Sequence, residues 1–321
     1  MLKSLKLYEP KFENDELEAV KEVFKTGILT SGAEVEKLEV EFAKYVGSKY
    51  AIAVNSATSA IFLSLQCEKV SLGIKRVIVP SVTFVSVANM VLNSGLKFEF
   101  NDEINVGNWY MLGGTTIIDS AHHLHRNCYI QDSIMCFSFY PTKLLGSCEG
   151  GIIATNNNKV YRWLRKARNN GMERNGMFDW DYTVEFAGWK MNMNNIQAAI
   201  ARTRLKKLDD YNKKREKIRD FYNKIFLLQN KSLHIYPLQI DNRDETIKKL
   251  AKYNIQTSVH FKPIHLQPAY QKYRKFAYPK SEDWGNTEIS IPLHENLKPR
   301  DLKYLILVFK KENIWHCVSK K

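Results

Sequence analysis

Between Asn14 and Gly27, apolar residues recur at Leu17, Val20 and Phe24. That spacing puts them on one face of a helix, and Gly27 supplies a C-terminal stop. Val35, Leu38 and Phe42 repeat the pattern up to about Gly47. The period then shortens. Tyr50-Ala51-Ile52-Ala53-Val54 is a short apolar run of strand type, followed by Asn55-Ser56-Ala57-Thr58-Ser59 and a helix through about Gln66. Arg76-Val77-Ile78-Val79 predicts the next strand, closed by Pro80, with a helix after Thr83. Further strands are expected near 96–100, 115–118, 134–139 and 151–155. Alternating strands and helices predict the α/β class, with a mostly parallel sheet flanked by helices. Residues 101–114 show no clear period and read as a loop.

From about Asn194 to Leu228 the pattern is helical and long, and it is expected to contain a break and to link two domains. A strand at 233–240, a helix at 244–253, a strand at 256–261 and a last helix near 299–310 then predict a smaller α+β unit. The division expected is a large domain over 1–205 and a small one over 206–321. Neither an internal repeat nor a low-complexity stretch appears.

The 321 residues suit about two domains, and 44% hydrophobic with 26% charged residues is the composition of a soluble globular protein. No apolar run reaches the ~18 residues of a membrane helix, so no membrane partner is expected. The N-terminus reads as lacking a signal-peptide apolar region. The five cysteines (67, 128, 136, 148, 317) make no Cys-x-x-Cys pair, which suggests neither a disulfide framework nor a metal site and points to the cytoplasm. The net charge of +14 is spread over helical stretches such as Leu205 to Lys217. Without a basic stripe interleaved with aromatics, it reads as a lysine-rich surface rather than a nucleic-acid site, and a positive field also suits a phosphorylated substrate.

Candidate chemistry centres on Lys143. It follows the apolar strand Phe137-Ser138-Phe139 through a sharp turn at Tyr140-Pro141-Thr142, with Glu149-Gly150-Gly151 close behind. A lysine so presented can form a Schiff base with a carbonyl cofactor. Asp119 ends Thr116-Ile117-Ile118, and an acid and an amine ending separate strands can converge on one ring. That is the pair pyridoxal 5'-phosphate needs. The turn at Asn55 to Ala60 is either a phosphate seat or an ordinary Ser/Thr helix cap. Phe84 is either a ring-stacking aromatic or core. His122 could bond a phenolic oxygen or be a satisfied core histidine. Alternation puts the Ser138 hydroxyl on the face opposite Phe137 and Phe139.

Together these segments resemble the DegT family of sugar-nucleotide aminotransferases. The same order of matches includes Gly27 to Gly32, Pro80 to Phe84, Glu149-Gly150-Gly151, Gly188 to Met193, Ile196 to Ile200 and Val259 to His265. The resemblance implies the aspartate-aminotransferase type of fold (fold type I) in a shortened member. It implies that Lys143 binds the cofactor covalently and then moves the proton, that Asp119 pairs with the ring nitrogen and that Phe84 stacks on the ring. Thr58, Ser59 and Ser138 would hold phosphate, and His122 the phenolic oxygen. Members are homodimers with shared sites. Asn192 matches the residue that crosses to the other copy's phosphate, while Thr30, Lys190 and His260 match substrate-side positions. Some relatives carry His in place of Lys143 and remove a hydroxyl, so Lys143 argues for transamination. Asn170 to Arg174, with Gly188 to Asn192, resembles members that aminate C4 of a nucleotide-linked 4-keto-6-deoxy sugar, with glutamate as amino donor, for surface glycans or glycoconjugates. The chain departs from the family by being shorter between Phe100 and Thr115 and between Leu228 and Asp241. The first loss is expected to remove a sheet strand and to expose apolar surface unless something covers it. It leaves open an inactive or scaffolding relative that binds a sugar nucleotide without turnover.

Overall fold

The computed structural model describes residues 4–174, 178 and 180–314. Cys317 and the end of the expected small domain lie outside them. The first helix, α1 (Asn14–Thr26), stops at Gly27 in the left-handed region (φ +69°), as the sequence predicts. Its inward face differs from the expected one. Glu16 and Val23 are buried, whereas Leu17 and Phe24 are 53% and 57% exposed. The period was right and the phase was wrong by one residue, about 100° of helix rotation. Buried Arg204 (3.7 Å) and Lys207 (3.5 Å) draw the Glu16 carboxylate inward, and this turns the apolar stripe outward. The next helix, α2 (Ala33–Val46), buries Val35, Leu38 and Phe42 as expected.

Strand and helix then alternate through β1 (Tyr50–Val54), α3 (Ala57–Ser71), β2 (Arg76–Val82), α4 (Ser86–Asn93) and β3 (Lys97–Ile104). Next come β4 (Tyr110–Met111), β5 (Ile117–Asp119), β6 (Ile134–Ser138), β7 (Gly151–Thr155) and α5 (Asn158–Ala167). Among the described residues the main sheet has the order β1-β7-β6-β5-β4, and β2 pairs with β3 beside it. The α/β class with flanking helices holds, and the pairing is mixed. β5–β6 and β2–β3 are parallel, while β7 runs antiparallel to both β1 and β6. The physical reason is that residues 139–150 return from β6 to β7 through turns, with no helical crossover. β1, β5 and β6 therefore point the same way, and their C-terminal ends share one edge.

Residues 101–114 are more than the expected loop. β3 extends to Ile104, and Tyr110 and Met111 pair antiparallel with Asp119 and Ile118. Gly113 exchanges both backbone hydrogen bonds with Ile78 of β2, at 2.8 and 2.9 Å. Four residues thus stitch the β2–β3 pair to the main sheet where a full strand was expected to be missing. A side chain at Gly113 would bring its Cβ within 2.8 Å of the Ile78 Cβ, so glycine is needed for this close approach. The piece is too short for its period to show in the sequence.

Side chains alternate across the sheet. Ile52 and Val54 enter a core with α3, α4 and α5, and Ala51 and Ala53 enter a second with α2 and the long helix. After a hairpin of β8 (Met172–Arg174) and β9 (Tyr182–Val184), that helix, α6 (Asn195–Phe226), runs 32 residues without the expected break. No proline or glycine interrupts it, so about 48 Å of helix joins two cores. Ala198, Leu205 and Leu208 pack under the main sheet, whereas Ile218, Tyr222 and Phe226 belong to a third core. The expected division at 205/206 thus falls inside a continuous helix.

The third core is built on β10 (Tyr236–Gln239), α7 (Arg243–Lys252), β11 (Glu288–Ile291) and α9 (Pro299–Lys311), with β10 and β11 antiparallel and α8 (Pro279–Thr287) between α7 and β11 in the chain. The strand expected at 256–261 is reduced to one bridge between Ser258 and Ser290. Side chains satisfy the backbone of His260 instead. The His260 N–H donates to Glu288 Oε2, and the His260 carbonyl accepts from the Trp284 indole.

Candidate active site

A cavity of about 510 Å³ opens at the shared edge of β1, β5 and β6. Thr58, Phe84, Asp119, His122, Ser138, Lys143 and His260 all line it. Parallel neighbours bring this about: Asp119 ends β5, Ser138 ends β6, and the α3 N-terminus follows β1. The carboxylate and the amine singled out in the sequence therefore meet in one cavity.

Asp119 is 7% exposed. Its Oδ1 accepts the Ala121 N–H (2.9 Å) and its Oδ2 accepts the Tyr110 hydroxyl (2.8 Å). Burial raises its carboxyl above the usual range, opposed by those two hydrogen bonds and by the charge of Lys143. Burial pushes the Lys143 amine down to about 8, against the attraction of Asp119. Lys143 Nζ lies 3.4 Å from His234 Nε2. Burial first, and then the charge of Lys143, hold His122 and His234 well below the ordinary imidazole range and His260 at about 4. Three neutral imidazoles thus face one amine. His260 also bonds Ser290 (2.8 Å), which donates to Glu288 (2.5 Å), and the Tyr8 hydroxyl reaches His260 Nε2 at 3.3 Å.

At the other end, Ser56 caps α3 by accepting the Ser59 N–H at 3.1 Å. The Ser59 hydroxyl is turned away, donating to Asn55 Oδ1 at 2.6 Å, and Ser59 does not line the cavity. Ser56, Ala57 and Thr58 do. One hydroxyl expected at the phosphate is thus engaged within the turn itself. Ser138 faces the cavity while Phe137 and Phe139 are buried on the opposite face, as alternation required. Phe84 is 57% exposed at the mouth, its ring 6.0 Å from that of Phe261.

Thr30, Lys190 and Asn192 are not among the residues lining this cavity. Thr30 is exposed, and its carbonyl accepts the Asn195 N–H. Lys190 is exposed, bridged through its backbone to Asn169. Asn192 is bridged to Val54, and its buried Oδ1 has no hydrogen-bond partner among the described residues. Tyr8, Tyr110 and His234 line the cavity without a signal in the sequence. Tyr8 precedes the first helix, Tyr110 sits in the stretch without a period, and His234 arrives from beyond α6. Only the fold joins them.

The cavity fits pyridoxal phosphate. It offers a buried carboxylate for a ring nitrogen, a partly neutral amine for a carbonyl and a helix N-terminus for a phosphate. Its volume also falls in the ~300–1,000 Å³ usual for cofactor sites. Fold and cavity define a fold type I pyridoxal-phosphate-dependent transferase.

The family model of the DegT/DnrJ/EryC1/StrS aminotransferases matches residues 10–108 and 118–310. The chain is 31% identical over 368 aligned positions to the spore coat polysaccharide biosynthesis protein SpsC of Bacillus subtilis, covering 92% of this chain and 94% of that one. It is 26% identical over 356 positions to the UDP-4-amino-4,6-dideoxy-N-acetyl-beta-L-altrosamine transaminase of Campylobacter jejuni, covering 91% and 93%. Among solved structures, Helicobacter pylori PseC, an aminotransferase involved in pseudoaminic acid biosynthesis, superposes with a TM-score of 0.82 at 24% identity, over 96% of this chain and 100% of that one. The chain belongs to the DegT/DnrJ/EryC1/StrS aminotransferase family, whose sugar aminotransferases use pyridoxal 5'-phosphate. Both alignments are longer than the chain, so the relatives carry residues that it lacks.

Proposed function

We propose that this enzyme moves an amino group from an amino acid to the keto carbon of a nucleotide-linked keto-deoxy sugar, with a 4-keto-6-deoxy sugar favoured, for glycan or glycoconjugate assembly. The observation that carries this reading is the convergence of Asp119 and Lys143 on one cavity beside the α3 N-terminus. The transaminase name of the Campylobacter relative supports an amino-deoxy sugar linked to a nucleotide. Glutamate as donor follows the family resemblance alone.

Bound pyridoxal phosphate supplies a carbonyl that takes up amines and a ring that draws in the electrons left by a departing proton. Lys143 would hold it covalently. With its amine near pH 8, Lys143 is neutral in an appreciable fraction at physiological pH, and so it can accept and return a proton at the substrate carbon. Asp119 would face the ring nitrogen, and Phe84 would cover a face of the ring. Thr58, Ser138 and the free N–H groups of α3 would bind phosphate. Ser59 would act by shaping that turn. His122, neutral, would donate to the phenolic oxygen, and His260 would meet the sugar side.

A homodimer completes this reading. Phe24, Ile28 and Leu29 are exposed apolar residues, and Asn192 carries a buried oxygen without a partner among the described residues. A second copy covering this surface would let Asn192 reach the other site's phosphate and bring Thr30 and Lys190 to its substrate. The free thiols of Cys67, Cys128, Cys136 and Cys148 suit a reducing cytoplasm.

The test is borohydride reduction of protein given the cofactor, with peptide mapping, followed by amine transfer from glutamate to a UDP-linked 4-keto-6-deoxy sugar read by mass. Trapping at Lys143 and a mass change of amination are expected. Trapping without transfer to any keto sugar nucleotide would favour the scaffolding relative, and a protein that stays colourless when given the cofactor would overturn the aminotransferase reading.

A further inference from the structure

Tyr110 lies in the one internal stretch, 109–117, that the family match skips. It is 8% exposed. Its hydroxyl sits 2.8 Å from Asp119 Oδ2 and 2.6 Å from Thr83 Oγ1. A carboxylate only accepts, so the single phenolic proton goes to Asp119, and Thr83 must donate to the tyrosine oxygen. Burial and the Asp119 charge push the phenol above its ordinary range, which keeps that proton in place at any working pH. The contact is fixed from the backbone as well, because Tyr110 and Asp119 are paired residues of β4 and β5.

We propose that Tyr110 is a positioning residue for the cofactor ring, orienting the Asp119 carboxylate through a Thr83-Tyr110-Asp119 hydrogen-bond chain supplied by the shortened segment. Each Asp119 oxygen holds one protein donor and keeps a second lone pair for the ring nitrogen. Without Tyr110, the Ala121 N–H is the one donor among the described residues left to fix the carboxylate's plane. The stretch that the family match skips thus places a donor against the carboxylate. This rests on the reading that Asp119 faces the ring nitrogen.

The test is a cycle of pyridoxal phosphate dissociation constants, by absorbance titration of apoenzyme, for the unaltered protein, Tyr110→Phe, Asp119→Asn and the double variant. Tyr110→Phe keeps the ring and its packing. It is expected to weaken retention about tenfold, the scale of a hydrogen bond to a charged group, and to shift the pH midpoint of the bound cofactor's visible band. In the Asp119→Asn background the same change is expected to move retention less than about twofold. Thr83→Val, which removes only the donor to Tyr110, is expected to fall between the unaltered protein and Tyr110→Phe. Equal losses from Tyr110→Phe in both backgrounds, or no loss in either, would overturn the proposal. Unchanged retention in Asp119→Asn would instead overturn the placement of Asp119 at the ring nitrogen.

Discussion

Lys143 Nζ and His234 Nε2 lie 3.4 Å apart, although 91 positions separate them in the chain. One residue follows a sheet strand and the other comes from beyond α6. Burial makes both reluctant to carry charge. An amine among neutral imidazoles is poised to be a nucleophile and a base.

That placement has a measurable stability signature. The Lys143 amine titrates near 8 in the folded protein and near 10.5 when unfolded. Below 8 the folded state bears the full penalty of a buried ammonium. Between 8 and 10.5 the unfolded state binds more protons, so stability rises with pH. Lys143→Met is expected to stabilise the apoenzyme at pH 7 by an amount on the order of 3 kcal/mol. That advantage should shrink as the pH climbs from 8 to 10. Urea melts at the two pH values measure it, and a constant gap would contradict the assignment.

Glu288 has the opposite sign. Burial raises its carboxyl to about 8 from an ordinary 4.5, against the donors Ser290 and His260 N–H. Between these values the folded state binds more protons, so this residue's contribution is present below 4.5 and is lost as pH rises through 8. Glu288→Gln should remove that slope. Denaturation of both proteins at pH 5.5 and 8.5 should show the variant gaining relative to its parent at the higher pH.

Gly113 tests the stitched sheet. An alanine there would set its Cβ 2.8 Å from that of Ile78, a closer approach than real side chains tolerate. Gly113→Ala is expected to lose roughly 1–3 kcal/mol, the range for overpacking. It should also weaken cofactor retention, because β4 carries Tyr110 at the next position but two. A variant with the parent's melting behaviour would mean that the Ile78 bridge does not hold the sheet pair.

The dimer reading is tested on the exposed apolar surface. Phe24 and Ile28 are 57% and 56% exposed. A Phe24→Glu, Ile28→Glu variant should sediment as a monomer with unchanged far-ultraviolet circular dichroism and lose amine transfer at least tenfold, since each site would lack the other copy. A dimeric, active variant would place the interface elsewhere.

The strand ends bearing Asp119 and Lys143 were legible because alternation and short apolar runs are local properties, and parallel strands then align their C-terminal ends without further instruction. The Ser138 hydroxyl was placed by the same period. The inward face of α1 was not legible. Buried Arg204, some 190 residues downstream, outweighed the apolar stripe at Leu17 and Phe24 by pairing with Glu16. The orientation of Ser59 was not legible either, because a helix-cap turn and a phosphate seat use the same residue types, and only the structure shows its hydroxyl bonded to Asn55.

By itself the sequence determined the α/β alternation, the acid at one strand end and the amine in the turn after another, because each is written in the periodicity and turn residues of a few neighbouring positions. Tertiary structure alone decided which way each helix faces, that Gly113 and Tyr110 bridge two sheet fragments, and that Tyr8, His234 and His260 gather around Lys143. Those outcomes depend on burial and hydrogen bonding between residues far apart in the chain, and no local pattern carries that information.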